Sequence, residues 1–141
     1  MVLFAVMVSA VLAPLTGFFG LSRQSSVQMD GNARAQTALE QVRGQWQTQL
    51  AYDRTCIASA LPSGVTVTVQ NLNFNATTQT PPTGATRSAW NLNANCASAT
   101  TTLTTDSKDA NGVAVPIKRV TATAVVGGAT TALTLDLARP Q

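Results

Sequence analysis

Residues 1–21 carry no charged side chain, and the first ion along the chain is Arg23. At about 1.5 Å of rise per residue, an uncharged helix of that length covers the roughly 30 Å hydrocarbon thickness of a bilayer. Such a segment must be taken into lipid or covered by protein, which restricts every fold open to the remainder. It passes without a linker into a second pattern, in which Ala35, Ala38, Leu39, Val42, Trp46 and Leu50 recur at steps of three and four. That spacing stacks them on one helix face, with Asp30, Gln36, Glu40, Arg43, Gln47 and Thr48 on the other side. The chain thus reads as one rod, apolar all round in its first half and apolar along one stripe in its second.

The rod is predicted to weaken at Pro14, which lacks an N–H, again at 30–32 and at Gly44. Glu40 and Arg43 are expected to pair one turn apart on the wet face. Pro62-Ser63-Gly64 cannot continue a helix, so the rod should end between Ile57 and Leu61. Three parts follow: 1–22 as a transmembrane or assembly half, 23–61 as an amphipathic half, and 62–141 as a head.

In the head the period changes to two. Val65, Val67 and Val69 alternate with Thr66, Thr68 and Gln70, and Leu72 and Phe74 extend the alternation, which predicts a strand with one face inward. Residues 87–93, around Trp90 and Leu92, predict a short strand, and 98–105 a weaker one. Segments 113–126 and 129–137 flank Gly127-Gly128, a pair suited to a two-residue hairpin turn. Leu133, Leu135 and Leu137 share a face that should lie on Val42, Trp46 and Leu50, and Pro116 should sit at an edge or bulge. The expected fold class is α+β: a long N-terminal helix packed against a small antiparallel sheet of about four strands.

This layout resembles the type IV pilin and pseudopilin family, whose long N-terminal helix anchors and assembles the subunit while a small sheet packs on its outer half. Pro14, Gly17 and Gly20 match the helix-weakening residues that the family places partway along its apolar segment. The resemblance covers residues 2–60 with specificity and the rest in general layout. It implies a pilin-like structural subunit whose partners are itself and related pilin subunits in a filament, with the inner membrane holding it before assembly. The assembly helix would use Val2, Leu3, Phe4, Val8, Val11, Leu12, Pro14, Gly17, Gly20 and Leu21. One departure stands out: the family carries a glycine, an aromatic or Met, and then a nearby glutamate, whereas this chain has no Glu before Glu40. Alignment on Pro14 puts Met1 several residues inside the mature helix, so further residues are expected upstream. The positive-inside rule would draw the Arg23 end toward the cytoplasm; the resemblance implies the reverse, with the head outside. A cleaved signal peptide fits less well, since the apolar run continues to Leu21 with no basic region ahead of it.

Composition narrows the function. With about sixty residues in the rod, about eighty remain, enough for one small domain and not for a large catalytic core. There is no histidine, and the six acidic residues are scattered. No general acid–base pair, nucleophile–base arrangement or phosphate-cradling glycine motif occurs, so the chain is read as not an enzyme, with no cofactor and no metal. The segment 106–112 has oxygen ligands and a glycine, but Lys108 intrudes and no bidentate Glu follows, so a turn is expected there rather than a Ca²⁺ loop. Net charge is +3, too mild to imply a polyanion. Arg23 and Arg34 share one helix face while Arg43 and Arg54 share the opposite one, so no basic stripe runs along the rod. Arg87, Trp90, Lys118 and Arg119 are the candidate DNA or surface contact in the head, against the plainer reading of a solvated surface and a core Trp. Cys56 and Cys96 are the only cysteines, read as a disulfide of an oxidising compartment, the alternative being two buried thiols. The other function considered is a membrane-anchored binding module, an adhesin or DNA-uptake component, that never polymerises.

Overall fold

The computed structural model describes residues 2–54, 56–79, 89–92 and 114–141, and the side chains of 2–19 and of Leu21 lie outside that description. Helix α1 spans Val2–Gln45 without interruption, through Pro14 and through 30–32 alike. At about 1.5 Å per residue it is roughly 65 Å long, about twice the length of the sheet strands it meets. Gly31, one of the expected weak points, is instead a contact: a Cβ there would lie 2.9 Å from Thr131 Oγ1. Helix and sheet approach closely because that position has no side chain.

The buried stripe of α1 is Ala35, Ala38, Leu39 and Val42, continued by Trp46 just past its end. It stops there because the helix ends sooner than its pattern suggests. Just past Gly44 the chain turns, Thr48 caps a new four-residue helix, α2 (Gln49–Tyr52), and its side chain accepts from the Ala51 N–H. This turn redirects the chain so that Tyr52 is fully buried while Leu50 is 64% exposed. The expectations of a rod reaching 57–61 and of Leu50 under the sheet are corrected by this break. Gln45 then holds the connection, donating to Ser59 Oγ at 2.5 Å and accepting from the Ala58 N–H at 2.7 Å. On the wet face the helical ion pair is Arg34–Asp30, at 2.9 Å, with Arg34 also donating to the Ser63 carbonyl and hydroxyl. Among the described residues no ion pair joins Glu40 to Arg43.

Four antiparallel strands follow: β1 (Val65–Leu72), β2 (Ala89–Asn91), β3 (Ile117–Val126) and β4 (Ala129–Ala138), ordered β2-β1-β3-β4. Gly127 and Gly128 both have positive φ, as a two-residue hairpin between twisted strands requires, and this turn is as expected. Pro116 stands just before β3, and its carbonyl accepts from the Arg139 N–H. One sheet face packs on α1. It carries Val65, Val67 and Val69 from β1 and Val120, Ala122 and Ala124 from β3, with Leu133, Leu135 and Leu137 of β4 partly buried against them. The outer face shows Thr66, Thr68, Thr121, Thr123 and Thr134, neutral and hydroxyl-bearing. β1 ends at Leu72, two residues before Phe74, which lies in the turn that follows and is 88% exposed; its expected inward place is corrected. The candidate strand 98–105 lies outside the described residues.

Gly64, which leads into β1, has φ +73, and a Cβ on it would lie 2.9 Å from the Val125 carbonyl oxygen. Neither the left-handed conformation nor a clash with backbone is easily relieved. Gly64→Ala is therefore expected to destabilise the fold by about 2 kcal/mol, read as a lower midpoint with unchanged slope in chemical denaturation.

Candidate functional site

Three sets of residues are candidates: the apolar stem, the basic and aromatic group in the head, and the cysteines. Each is placed by the local folding just described.

The sequence groups Lys118 and Trp90 as a surface patch, and the structure brings them together, but inside the core. Lys118 shares its strand face with Val120, Ala122 and Ala124, so the pleat turns it inward, and it is fully buried. Its Nζ lies 4.7 Å from the Trp46 ring centroid, 4.6 Å from that of Tyr52 and 5.6 Å from that of Trp90. It also donates a hydrogen bond to the Tyr52 backbone carbonyl. Taking an ammonium out of water costs several kcal/mol, and three π faces with a carbonyl acceptor offset that cost. Trp46 and Tyr52 meet edge to face, with centroids 5.8 Å apart. The Tyr52 hydroxyl donates to the Leu137 carbonyl at 3.1 Å. The indole N–H groups of Trp46 and Trp90 have no hydrogen-bond partner among the described residues, so packing and the ammonium hold these rings. A cage of this geometry suits a cationic ligand, but here its occupant is the chain's own lysine. It joins the turn after α1 to α2, β2, β3 and β4 and is a structural centre, not a contact surface.

The other basic candidates go elsewhere. Arg119 is on the outer face, bidentate with Asp136 at 2.8 Å, and the guanidinium hydrogen bond holds the Asp136 carboxyl below its ordinary range. Both side chains are more than a third exposed, so the pair adds little stability. Arg87 lies outside the described residues. The expected cationic and aromatic surface patch is thus corrected for Lys118 and Trp90, both buried, while Arg119 stays partly exposed on the outer face, paired with Asp136.

A second clamp escaped the sequence reading. Arg139, near the C-terminus, grips Asp53 at 2.7 and 3.3 Å, with the Asp53 side chain only 9% exposed. It fastens the end of β4 to the end of α2. No local pattern pairs residues so far apart, although the Lys118 position was readable from its parity with Val120 and Ala122.

Burial is the main cause pushing the Tyr52 phenol above its ordinary value of 10.0, with the Asp53 carboxylate adding to it. A folded value above the unfolded one means that stability is intact below pH 10 and falls as pH rises beyond it. Tyr52 is the sole tyrosine. Tyrosinate absorbance is therefore expected to appear only as the protein unfolds in alkali, together with loss of far-ultraviolet circular dichroism. Ionisation near pH 10 in the folded protein would contradict the burial.

Cys56 is disulfide-bonded, and Cys96, the other cysteine of the sequence, lies outside the described residues. The turn candidate at 106–112 lies outside them too. Among the described residues no three His, Cys, Asp or Glu side chains come together as a metal site. The wet face of α1 bears an open groove of about 560 Å³ lined by Ala33, Gln36, Thr37, Glu40 and Gln41, with one carboxylate and a Thr37 hydroxyl that donates to the Ala33 carbonyl.

The stem candidates Val2, Leu3, Phe4, Val8, Val11, Leu12, Pro14, Gly17, Gly20 and Leu21 all lie in α1. Gly20 has open space around it, with nothing within 4 Å of a Cβ built there. Among the described residues no helix is long and apolar enough to cross a membrane, and the side chains of 2–19 are not among those described. No family model, no curated protein and no solved structure matches this chain. What the fold and surfaces define is a class by architecture alone: a small antiparallel sheet packed on the C-terminal part of a long helix.

Proposed function

We propose that this chain is a structural subunit of a type IV pilus or of a type II secretion-like pseudopilus. The observation that carries the reading is the mismatch between helix and head. The hairpin tip at Gly127 meets α1 at Val27, and Gly31, Ala35, Ala38, Leu39, Val42 and Trp46 follow upward along the sheet. Below Val27 the helix runs on to Val2, a further 35 Å or so at about 1.5 Å per residue. That length suits the hydrocarbon layer plus a polar collar, Ser22 to Ser26, which carries the first charge at Arg23, while residues 2–21 are uncharged.

The mechanism is an exchange of surroundings. The stem rests in the inner membrane first and among identical stems afterwards, with the head outside in both states. Apolar surface leaves lipid for protein, so little hydrophobic area changes its exposure, and the gain comes from helix-to-helix packing. Pro14, Gly17 and Gly20 supply the local weakness that lets the stem bend as it packs. No bound cofactor or metal is needed. Electron microscopy of sheared surface filaments, labelled with an antibody against the head, is expected to show label along the filament. Label confined to the cell envelope, with no filament, would overturn the reading in favour of a membrane-anchored binding module.

A further inference from the structure

Of the eight asparagines in the chain, Asn75 alone is followed two places on by a hydroxyl residue, in Asn75-Ala76-Thr77. The structure puts this triplet in the short turn beyond β1. The base of the turn is closed by the Leu72–Thr78 bridge and by the Gln79 N–H donating to the Asn71 carbonyl at 3.0 Å. Within it the Asn73 N–H donates to the Thr77 carbonyl at 2.8 Å and the Ala76 N–H to the Asn73 carbonyl at 2.9 Å. Residues 73–78 are all exposed, so a second molecule reaches the triplet without disturbing the core. The left-handed backbone at Ala76, φ 60, turns Thr77 back on Asn75. Asn75 Oδ1 accepts from the Thr77 N–H at 3.3 Å and from the Thr77 hydroxyl at 2.7 Å. That hydroxyl is aimed, because the Asn73 side-chain amide, which can only donate, gives a hydrogen bond to Thr77 Oγ1 at 3.1 Å. Two donors on Oδ1 draw electrons from the rest of the carboxamide and make its N–H more acidic. Asn75 Nδ2 itself has no hydrogen-bond partner among the described residues.

We propose that Asn75 is a glycosylation site, taking a sugar on Nδ2 from a donor whose anomeric carbon is joined to a polyprenyl diphosphate. The bond from Nδ2 to the anomeric carbon forms as the bond from that carbon to the diphosphate oxygen breaks. The diphosphate leaves with the electron pair, and one Nδ2 proton passes to a base of the transferring enzyme. Thr77 is a positioning residue, holding and polarising the carboxamide through its N–H and hydroxyl. A second observation, independent of the turn, agrees with this chemistry. Cys56 is disulfide-bonded, which belongs to an oxidising compartment outside the cytoplasm, where such triplets on surface loops are glycosylated. Nucleotide-linked sugars stay in the cytoplasm, so the donor is the lipid-linked kind. The turn also leaves the sheet at the Leu72–Ile117 end, opposite the Gly127-Gly128 hairpin that meets α1 at Val27. A bulky, solvated group attached there clears the stem. The site goes beyond the filament reading and does not rest on it.

The test is peptide mass spectrometry of the full chain recovered from the envelope of the cells that make it. The peptide containing Asn75 is expected to be heavier than its sequence by one or more sugar residues, with fragmentation placing them on Asn75. Asn75→Gln and Thr77→Ala should each lose the added mass, and Thr77→Ser, which keeps the hydroxyl donor, should retain it. All three changes lie in an exposed turn, and circular dichroism equal to the parent's is expected to show that the head stays folded. Blocking the loading of sugar onto polyprenyl phosphate should leave the peptide bare; persistence of the sugar would trace it to a nucleotide-linked donor and overturn the source. An unmodified Asn75 in the parent chain would overturn the site outright, whatever the variants do. Sugar on the Thr77 or Thr78 hydroxyl, surviving Asn75→Gln, would overturn it as well, and sugar kept in full by Thr77→Ala would remove the role given to Thr77.

Discussion

Trp46→Ala is expected to lower the stability of the head by about 3 to 5 kcal/mol, the largest single loss among substitutions in the described core. Trp46 is 4% exposed and touches two partners that depend on it, the Tyr52 ring and the Lys118 ammonium. Truncation removes the indole contacts and leaves a cavity beside a buried charge, which then loses one of its three π faces. Lys118→Met separates the two contributions. The methionine roughly conserves volume and fills the cage without a charge, so its cost should stay below about 1.5 kcal/mol even though the Tyr52 carbonyl loses a donor. Denaturant melts of both variants, with equal slopes, check this. A Lys118→Met loss as large as that of Trp46→Ala would show that the ammonium, not the packing, holds the centre together.

If the chain assembles as proposed, Val8→Asp is expected to abolish filaments while leaving the head folded. A carboxylate near the middle of an apolar helix costs about 2.5 to 3.5 kcal/mol in a bilayer. In a filament core the same charge recurs in every subunit, so the penalty multiplies with length and like charges add repulsion. The head core begins at Ala35, far along the helix, and should be untouched. Val8→Leu, which stays apolar, should assemble as the parent does. The measurement is the sheared filament fraction against the amount of protein in the membrane fraction. Normal filament yield from Val8→Asp would remove the stem from the mechanism.

How far the sequence could be read depended on whether a pattern was local. The helix stripe from Ala35 to Trp46 and the alternation of Val65, Val67 and Val69 are set by backbone periods of 3.6 and 2, and both stand in the structure. The Gly127-Gly128 hairpin was legible because positive φ at adjacent residues is a property of glycine itself. Lys118 was misassigned for an instructive reason. Its charge suggested water, while its parity with Val120, Ala122 and Ala124 pointed inward, and the parity prevailed because three aromatic rings were there to receive it. Leu50 and Phe74 failed in the opposite direction, since their patterns were extended past a helix end and a strand end that local sequence marks only weakly.

The amino-acid order by itself determined an uncharged opening segment long enough to need lipid or protein around it, an amphipathic continuation, and an alternating head. Those follow from charge, length and side-chain period, which need no neighbours to act. Only the tertiary structure decided that α1 stops at Gln45, that Tyr52 swings under the sheet, and that Arg139 closes on Asp53. It also decided that a lysine is enclosed by Trp46, Tyr52 and Trp90. Each of these joins residues far apart in the chain, and whether burying a charge or ending a helix is favourable depends on groups that folding alone brings together.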